Sequence, residues 1–579
     1  MRLLQRDPIL SVLIWCAVAG ALLGLSNASW QASVETGQVL AQHVIYPKDN
    51  PFYMYHIKVF SLINYISAIL LKMLGSERIV CTLVSMLLGV VSFQAIGLLM
   101  YSLSRSTFFA VFGVLFIYFT NQIGDGVVYP IWLLGTEHTF GILGLGITLY
   151  IIGSIGAGMI RTGSFLLGLS FCVHPSLGLW INILFFIALV IYRNRLKEAL
   201  PRVMVFYTVG FVVSIGCLLF QLHLMKDLPK IDAEVAKTYL YQFVKYWGCH
   251  RTPLYQSWES MEVMNGLGHI FCLMSILVAM VFYRKACEEK LLQIILAVIA
   301  LNGILGLLLG ILTHVSPEKL PTFLLILMPG RYINLNNVVL APLLLGYLVR
   351  PDSRLSPNNY SIFLFYLVAS FFSRHHEILM VVYLILLIYI MKDKRLSAES
   401  IKATLPPISD YKKMFVAFLV AFLFINAFSH RFVNNRLIDH INGLWDNTDD
   451  EFYAAAAQRT GMMLITGDCP RVQLKTKRPV LADMSAPNFS TYATESAVGF
   501  SRILKSIYGI DINVPPAPKY LHREMPSELY KELWEGRSLE EWQALKREFK
   551  LSDVQTDKDW QLHLPVLVRS GDYVLYTIP

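Results

Sequence analysis

The residue best placed to do chemistry is Glu35, in Ser-Asn-Ala-Ser-Trp-Gln-Ala-Ser-Val-Glu35-Thr-Gly-Gln-Val-Leu. It is the only carboxylate between residues 8 and 48, and it follows closely on a long apolar run. The stretch it opens has helical, amphipathic spacing. A carboxylate in that position can accept a proton from a nucleophile or hold a metal ion beside a phosphate. The plain alternative is a helix-capping Glu in a solvated turn.

Five other groups carry ionisable side chains, four at the edges of apolar runs and one in a long loop. Tyr129-Pro-Ile-Trp-Leu-Leu-Gly-Thr-Glu137-His138 places two titratable groups at a helix start, where they can bind or orient an acceptor. Read blandly, it is an interfacial cap with Trp132 as its anchor. His174 stands before Pro175, which lacks a backbone donor and breaks the helix; ionisable groups at such breaks face cavities or bond to neighbouring backbone. Met328-Pro-Gly-Arg331-Tyr332 starts an apolar run with an arginine. Its forked donors and the helix N-terminus suit a phosphate, and snorkelling is the alternative. Arg374-His375-His376-Glu377 could meet a pyrophosphate or a metal, although adjacent His residues point apart on a helix and a solvated turn explains the cluster as well. His250, near Trp247 and Trp258, could stack with these on sugar rings or simply belong to a folded loop.

The elements that must position these residues are membrane helices. The chain is 55% hydrophobic and 15% charged, with a mean hydropathy of +0.52. Soluble proteins sit near 45–50% apolar and about 25% charged. The net charge of +9 comes from Lys and Arg scattered between apolar runs, which argues against a nucleic-acid partner. No CxxC zinc pattern or Walker loop occurs, so nucleotide-driven transport is not indicated. Of eight cysteines, only Cys249 and Cys469 fall in long polar regions, and nothing in the spacing requires them to pair.

Apolar runs predict about thirteen spans. They lie near 8–26, 78–103, 107–120, 137–154, 164–173, 176–193, 203–222, 265–283, 291–313, 333–349, 361–373, 377–391 and 413–428. The first reads as a retained helix rather than a signal peptide. Runs 164–173 and 361–391 are short enough to be broken or re-entrant. Segment 55–75 repeats Lys58, Ser61, Asn64 and Ser67 every three residues, which predicts an amphipathic helix lying in the interface. Basic loops at 193–202, 284–290, 350–354 and 392–413 share one side with Arg2 and Arg6. The positive-inside rule makes that side cytoplasmic. Loops 27–77, 121–136, 223–264 and 314–332, and the tail, then lie outside. The chain divides into a membrane domain, 1–428, and a soluble external α/β domain, 429–579. In the tail, Met462–Asp468 and Arg478–Asp483 read as strands, 528–535 and 539–549 as helices, and 566–578 as a hairpin closed by Ser-Gly-Asp. No internal repeat is visible.

A long first external loop, an acid just after the first helix, an interfacial helix and a Pro-Gly-Arg331-Tyr332 helix start together resemble the GT-C superfamily of membrane glycosyltransferases. The resemblance implies a multi-helix membrane body with an external C-terminal domain. It also implies a polyprenyl-phosphate-linked sugar donor and a glycan, lipid or protein acceptor. It maps the recurrent acidic position onto Glu35 as general base, with Asp49 second. Many members carry two adjacent acids where this chain has Val34-Glu35, so metal dependence is open and a divalent ion is the one candidate cofactor. Arg331 and Arg374 would hold donor phosphate. His56, Glu137, His138, His174, His250 and Tyr332 would complete the substrate pocket. A transporter or flippase for a lipid-linked sugar, and an O-antigen-polymerase-like enzyme, are the rival readings. The bacterial inner membrane is the expected location. The sequons Asn27-Ala-Ser and Asn488-Phe-Ser also suit the endoplasmic reticulum.

Overall fold

The structure, a computed structural model, describes residues 7–120, 133–136, 138–197, 200–247, 261–286, 289–312, 315–327, 329–350, 357–372, 376–392, 450–467, 469–482, 489, 492–517 and 528–579. Among these, eight helices are long and apolar enough to cross a membrane, and four shorter apolar helices accompany them. The protein is a multi-pass membrane protein.

The body begins with α1 (Pro8–Ser26), capped by the Asp7 carboxylate, which accepts from the Ile9 and Leu10 amides. After the first loop comes the long α5 (Glu77–Ser104). The first loop holds α2 (Ala32–Leu40), α3 (Pro51–Lys58) and α4 (Leu62–Leu74). Helices α1 and α5 run antiparallel in backbone contact. A Cβ on Gly20 would strike the Gly89 carbonyl, and one on Gly89 would strike that of Gly20. Only a pair of small residues allows that approach, a common device where lipid supplies no hydrophobic driving force.

Next come α6 (Thr107–Phe119), α7 (Thr139–Gly156), α8 (Ile160–Val173), α9 (Pro175–Leu196) and α10 (Leu200–Met225). They are followed by α11 (Ala233–Tyr246), α12 (Met261–Lys285), α13 (Lys290–Leu312), α14 (Thr322–Leu327), α15 (Asn334–Val349), α16 (Pro357–Phe372) and α17 (His376–Lys392). Pro175 ends a helix, as expected, but the chain then reverses. Asn182 Nδ2 donates to the Leu167 carbonyl (3.0 Å) and to Ser170 Oγ (3.1 Å), so α8 and α9 form a tight hairpin with His174 at its tip. The expected span 413–428 lies outside the described residues.

The helix ends form two layers. In one, Arg105 donates to Glu289 and to the Gly156 carbonyl (3.3 Å). Arg350 pairs with the same Glu289 and donates to the Leu103 carbonyl (2.7 Å). In the other layer, Asn27 reaches the Tyr118 hydroxyl (3.3 Å), and Thr136 bonds to the Asn27 carbonyl.

Helices α3 and α4 meet at a 105° bend. The polar stripe expected to face water faces inward instead. Ser61 Oγ donates to the Val173 carbonyl (2.7 Å), and Asn64 and Ser67 are buried. The outward face is Ile66, Ile69 and Met73, the last 73% exposed. That apolar outer face suits hydrocarbon, with the exposed Lys72 at its end.

The described part of the tail holds α18 (Asp450–Ala457), β1 (Met462–Leu464), α19 (Cys469–Thr476), α20 (Ala497–Tyr508), α21 (Glu528–Glu535), α22 (Leu539–Phe549), β2 (Leu551–Asp557), β3 (Val566–Ser570) and β4 (Tyr573–Thr577). The sheet order is β1-β2-β4-β3, with β1 parallel to β2 and the other pairs antiparallel. The hairpin turns at Gly571, whose φ of 61° suits a residue without Cβ. The expected strand at Arg478–Asp483 is reduced to one bridge, Met463 to Val480. Arg478 turns inward instead, to Asp553 Oδ2 (2.6 Å) and the carbonyls of Ala456, Thr460 and Gly461. Cys469 is buried, and Cys249 lies outside the described residues.

Candidate active site

Glu35 sits in the first turn of α2, where the positive end of the helix favours a carboxylate. It is not in a solvated turn. Only 4% of it is exposed, because α2 is buried from Ser33 to Val39 between the membrane body and the tail. The start of α2 is fixed from the body side by Gln31, which donates to Ser85 Oγ (2.8 Å) and the Thr136 carbonyl (2.7 Å). Thr139 bonds back to the Gln31 side chain, tying in the start of α7.

The tail holds α2 from the other side. Gln473, on α19, donates to the Glu35 carbonyl (3.0 Å) and the Gln38 side chain (3.3 Å). Its own oxygen accepts from the Tyr46 hydroxyl (2.7 Å), which in turn accepts from the Val480 amide (3.0 Å). Gln38 donates to Glu77 Oε1 (3.3 Å) and to the Leu474 carbonyl (3.3 Å). Glu77 also meets His43 (3.3 Å) and Lys477 (3.1 Å). Lys58 pairs with Glu495, so α3 is tied to the tail as well.

His56, on α3, lies beside Glu35. Its Nδ1 is 3.0 Å from Thr36 Oγ1, and its Nε2 is 3.9 Å from Glu35 Oε1. Among the described residues that Nε2 is buried without a hydrogen-bond partner. The ring is walled by Tyr46, Phe52 and Tyr55 at centroid distances of 5.9, 6.1 and 5.3 Å. Burial pulls its pKa from 6.5 down to about 3, so His56 is a neutral imidazole facing a carboxylate.

A line of contacts leads from this pair to the other candidates. The bend after α3 carries Ser61, which holds the carbonyl of Val173, next to His174. His174 caps α9: its Nδ1 accepts from the Leu177 amide (3.4 Å). Burial and then the nearby Arg331 guanidinium lower the His174 pKa to about 4. Arg331 lies in the short helix Pro329–Ile333 that leads into α15. Its neighbour Tyr332 stacks on Trp180 at 4.2 Å. Asn302 fixes that stack, accepting from Trp180 Nε1 (2.6 Å) and donating to the Tyr332 carbonyl (2.9 Å) and the Asn336 side chain (2.6 Å).

Glu35, His56, His174, Arg331 and Tyr332 are thus joined through one layer of helix ends. Asp49 is exposed in the turn before α3, and His138 is exposed at the start of α7. Glu137, His250 and Arg374 lie outside the described residues. No group of three or more His, Cys, Asp or Glu side chains able to hold a metal occurs among the described residues. Glu35 and His56 supply two such donors.

Sequence reasoning missed the tail's part in this site. Lys475 Nζ lies 4.2 Å from the Tyr453 ring and 5.9 Å from that of Trp30, and Arg471 lies 5.8 Å from Tyr453. Lys475 therefore stands over the entry to α2, and Arg471 shares its contact with Tyr453. The one available signal was the amphipathic run Cys-Pro-Arg-Val-Gln-Leu-Lys-Thr, which says helix but not partner.

No family model matches the chain, and no curated protein matches it. Among solved structures it is similar to the crystal structure of ArnT from Cupriavidus metallidurans bound to undecaprenyl phosphate. The identity is 12%, the TM-score 0.45, and 98% of each chain is covered. A likeness this distant assigns neither activity nor residue roles.

Proposed function

We propose that this protein is a GT-C-type glycosyltransferase. It takes a sugar from a polyprenyl-phosphate-linked donor and transfers it to a glycan, lipid or protein acceptor at the membrane surface that carries the tail. The observation that carries the reading is a buried carboxylate, Glu35, facing the unbonded Nε2 of a neutral His56. A carboxylate opposite a neutral imidazole is an arrangement for handling a proton.

In this reading the acceptor oxygen attacks the anomeric carbon while Glu35 takes the hydroxyl proton. The bond from that carbon to the phosphate oxygen breaks, and polyprenyl phosphate leaves. A single displacement inverts the anomeric carbon. With its proton on Nε2, His56 orients the Glu35 carboxylate; Thr36, at Nδ1, fixes that tautomer. Arg331 stabilises charge on the leaving phosphate, and the start of α15 adds partial positive charge. Asp49, His138 and His174, with Glu137, His250 and Arg374, are assigned to donor and acceptor contacts. The tail faces the periplasm of a bacterial inner membrane, and residues 429–579 form a separate external domain.

The test is Glu35→Gln in protein reconstituted in vesicles with polyprenyl-phosphate sugars. Transfer should fall while donor binding persists. Undiminished transfer by that variant would remove Glu35 from the mechanism, and donor flipping without transfer would favour the transporter reading.

A further inference from the structure

The second feature of note lies at the opposite layer of helix ends. A cavity of about 440 Å³ opens between α8, α9, α10 and the start of α13. Its walls are Ile160, Leu167, Phe186, Met204, Tyr207 and Leu291 among others. Phe186 and Met204 are 66% and 47% exposed, so the cavity opens sideways into lipid. From Ile160 to Leu167 it runs seven residues of α8, about 10 Å at 1.5 Å per residue. The one amide in its wall, Asn182, spends its donors on Leu167, Ser170 and Gly178, which leaves the groove apolar.

Its mouth is basic. Lining residues Ile160, Val203 and Leu291 are chain neighbours of Arg161, Arg202 and Lys290, and all three cations are exposed. The Arg161 guanidinium lies over Phe206, 5.7 Å from the ring centre, on the α10 side of the opening. The nearby carboxylate Glu289 is already held by Arg105 and Arg350. Apolar depth, a lateral opening to lipid and three exposed cations beside the rim together match one ligand chemistry, an acyl chain under an anionic headgroup.

We infer that this groove is a binding site for an anionic phospholipid of the surrounding leaflet, separate from the Glu35 layer. One acyl chain lies along α8, and the headgroup phosphate meets Arg161, Arg202 and Lys290.

The test uses the full-length protein, delipidated in detergent, with dioleoyl-phosphatidylglycerol and dioleoyl-phosphatidylcholine titrated against each other by native mass spectrometry. Phosphatidylglycerol should win. The triple variant R161A/R202A/K290A changes only exposed side chains and should lose that preference, roughly five-fold per charge removed. Met204→Trp, which fills the opening, should reduce phosphatidylglycerol binding with all three cations present. Equal binding of the two lipids, a preference that survives the triple variant, or unchanged binding by Met204→Trp would each overturn the site. Displacement of phosphatidylglycerol by equimolar polyprenyl phosphate at the same residues would overturn it too, by assigning the groove to the donor lipid. The Glu35 reading does not enter any of these outcomes.

Discussion

Gln473 donates a hydrogen bond to the backbone carbonyl of Glu35, a residue 438 positions earlier in the chain. The tail is therefore part of the wall that holds the candidate base. Gln473→Ala leaves the Tyr46 hydroxyl, the Glu35 carbonyl and the Gln38 amide short of a buried partner, a loss of about 1–3 kcal/mol. We expect a lower unfolding temperature and faster tryptic cleavage around Lys477. An unchanged cleavage rate would mean the tail docks without this bond.

His56 should shape the dependence of stability on pH. Its folded pKa is about 3, against about 6.5 in an unfolded chain. Between those values the unfolded chain binds a proton that the folded protein refuses. Stability is thus full above pH 6.5 and falls as pH drops towards 3, by up to about 1.4 kcal/mol per unit. Thermal unfolding in detergent from pH 7.5 to 4.5 should show a shallower fall for His56→Gln than for the parent. Parallel curves would mean that folded His56 is already charged and ion-paired to Glu35.

Arg331→Lys keeps the charge but loses the fork that suits a phosphate. Sugar transfer should drop roughly 10²-fold, as for loss of one transition-state donor. Arg331→Ala should fall further. If the lysine variant transfers at the parental rate, a point charge suffices and bidentate contact plays no part.

Gly20→Val places a branched side chain against the Gly89 carbonyl. Helices α1 and α5 cannot separate without disturbing the Glu35 loop that joins them. Overpacking of this kind costs about 1–3 kcal/mol. Folded yield and unfolding temperature should both fall, and a fully stable variant would show that the contact is slack.

The membrane body was legible because its signal is long and one-dimensional. Apolar runs predicted α1, α5, α7 and α9 within a few residues. Glu35 stood out because no other carboxylate competes with it in that stretch. Its pairing with His56 was not legible, since it depends on the chain reversing between α2 and α3. The inward turn of Ser61, Asn64 and Ser67 was hidden as well. Amphipathic spacing gives two faces but does not say whether water or hydrocarbon lies outside. Strand β2 escaped notice because its buried positions include Asp553, Gln555 and Thr556. Asp553 can stay buried because Arg478 and Arg459 reach it from distant elements.

The bend between α3 and α4 has a mechanical consequence. Ile66, Ile69 and Met73 stand on the outer face of that elbow. Lifting the first loop towards water would drag this apolar face through an aqueous layer, which the hydrophobic effect opposes. Ile66, Ile69 and Met73 therefore act as a ballast that resists any displacement of the first loop carrying this face into water.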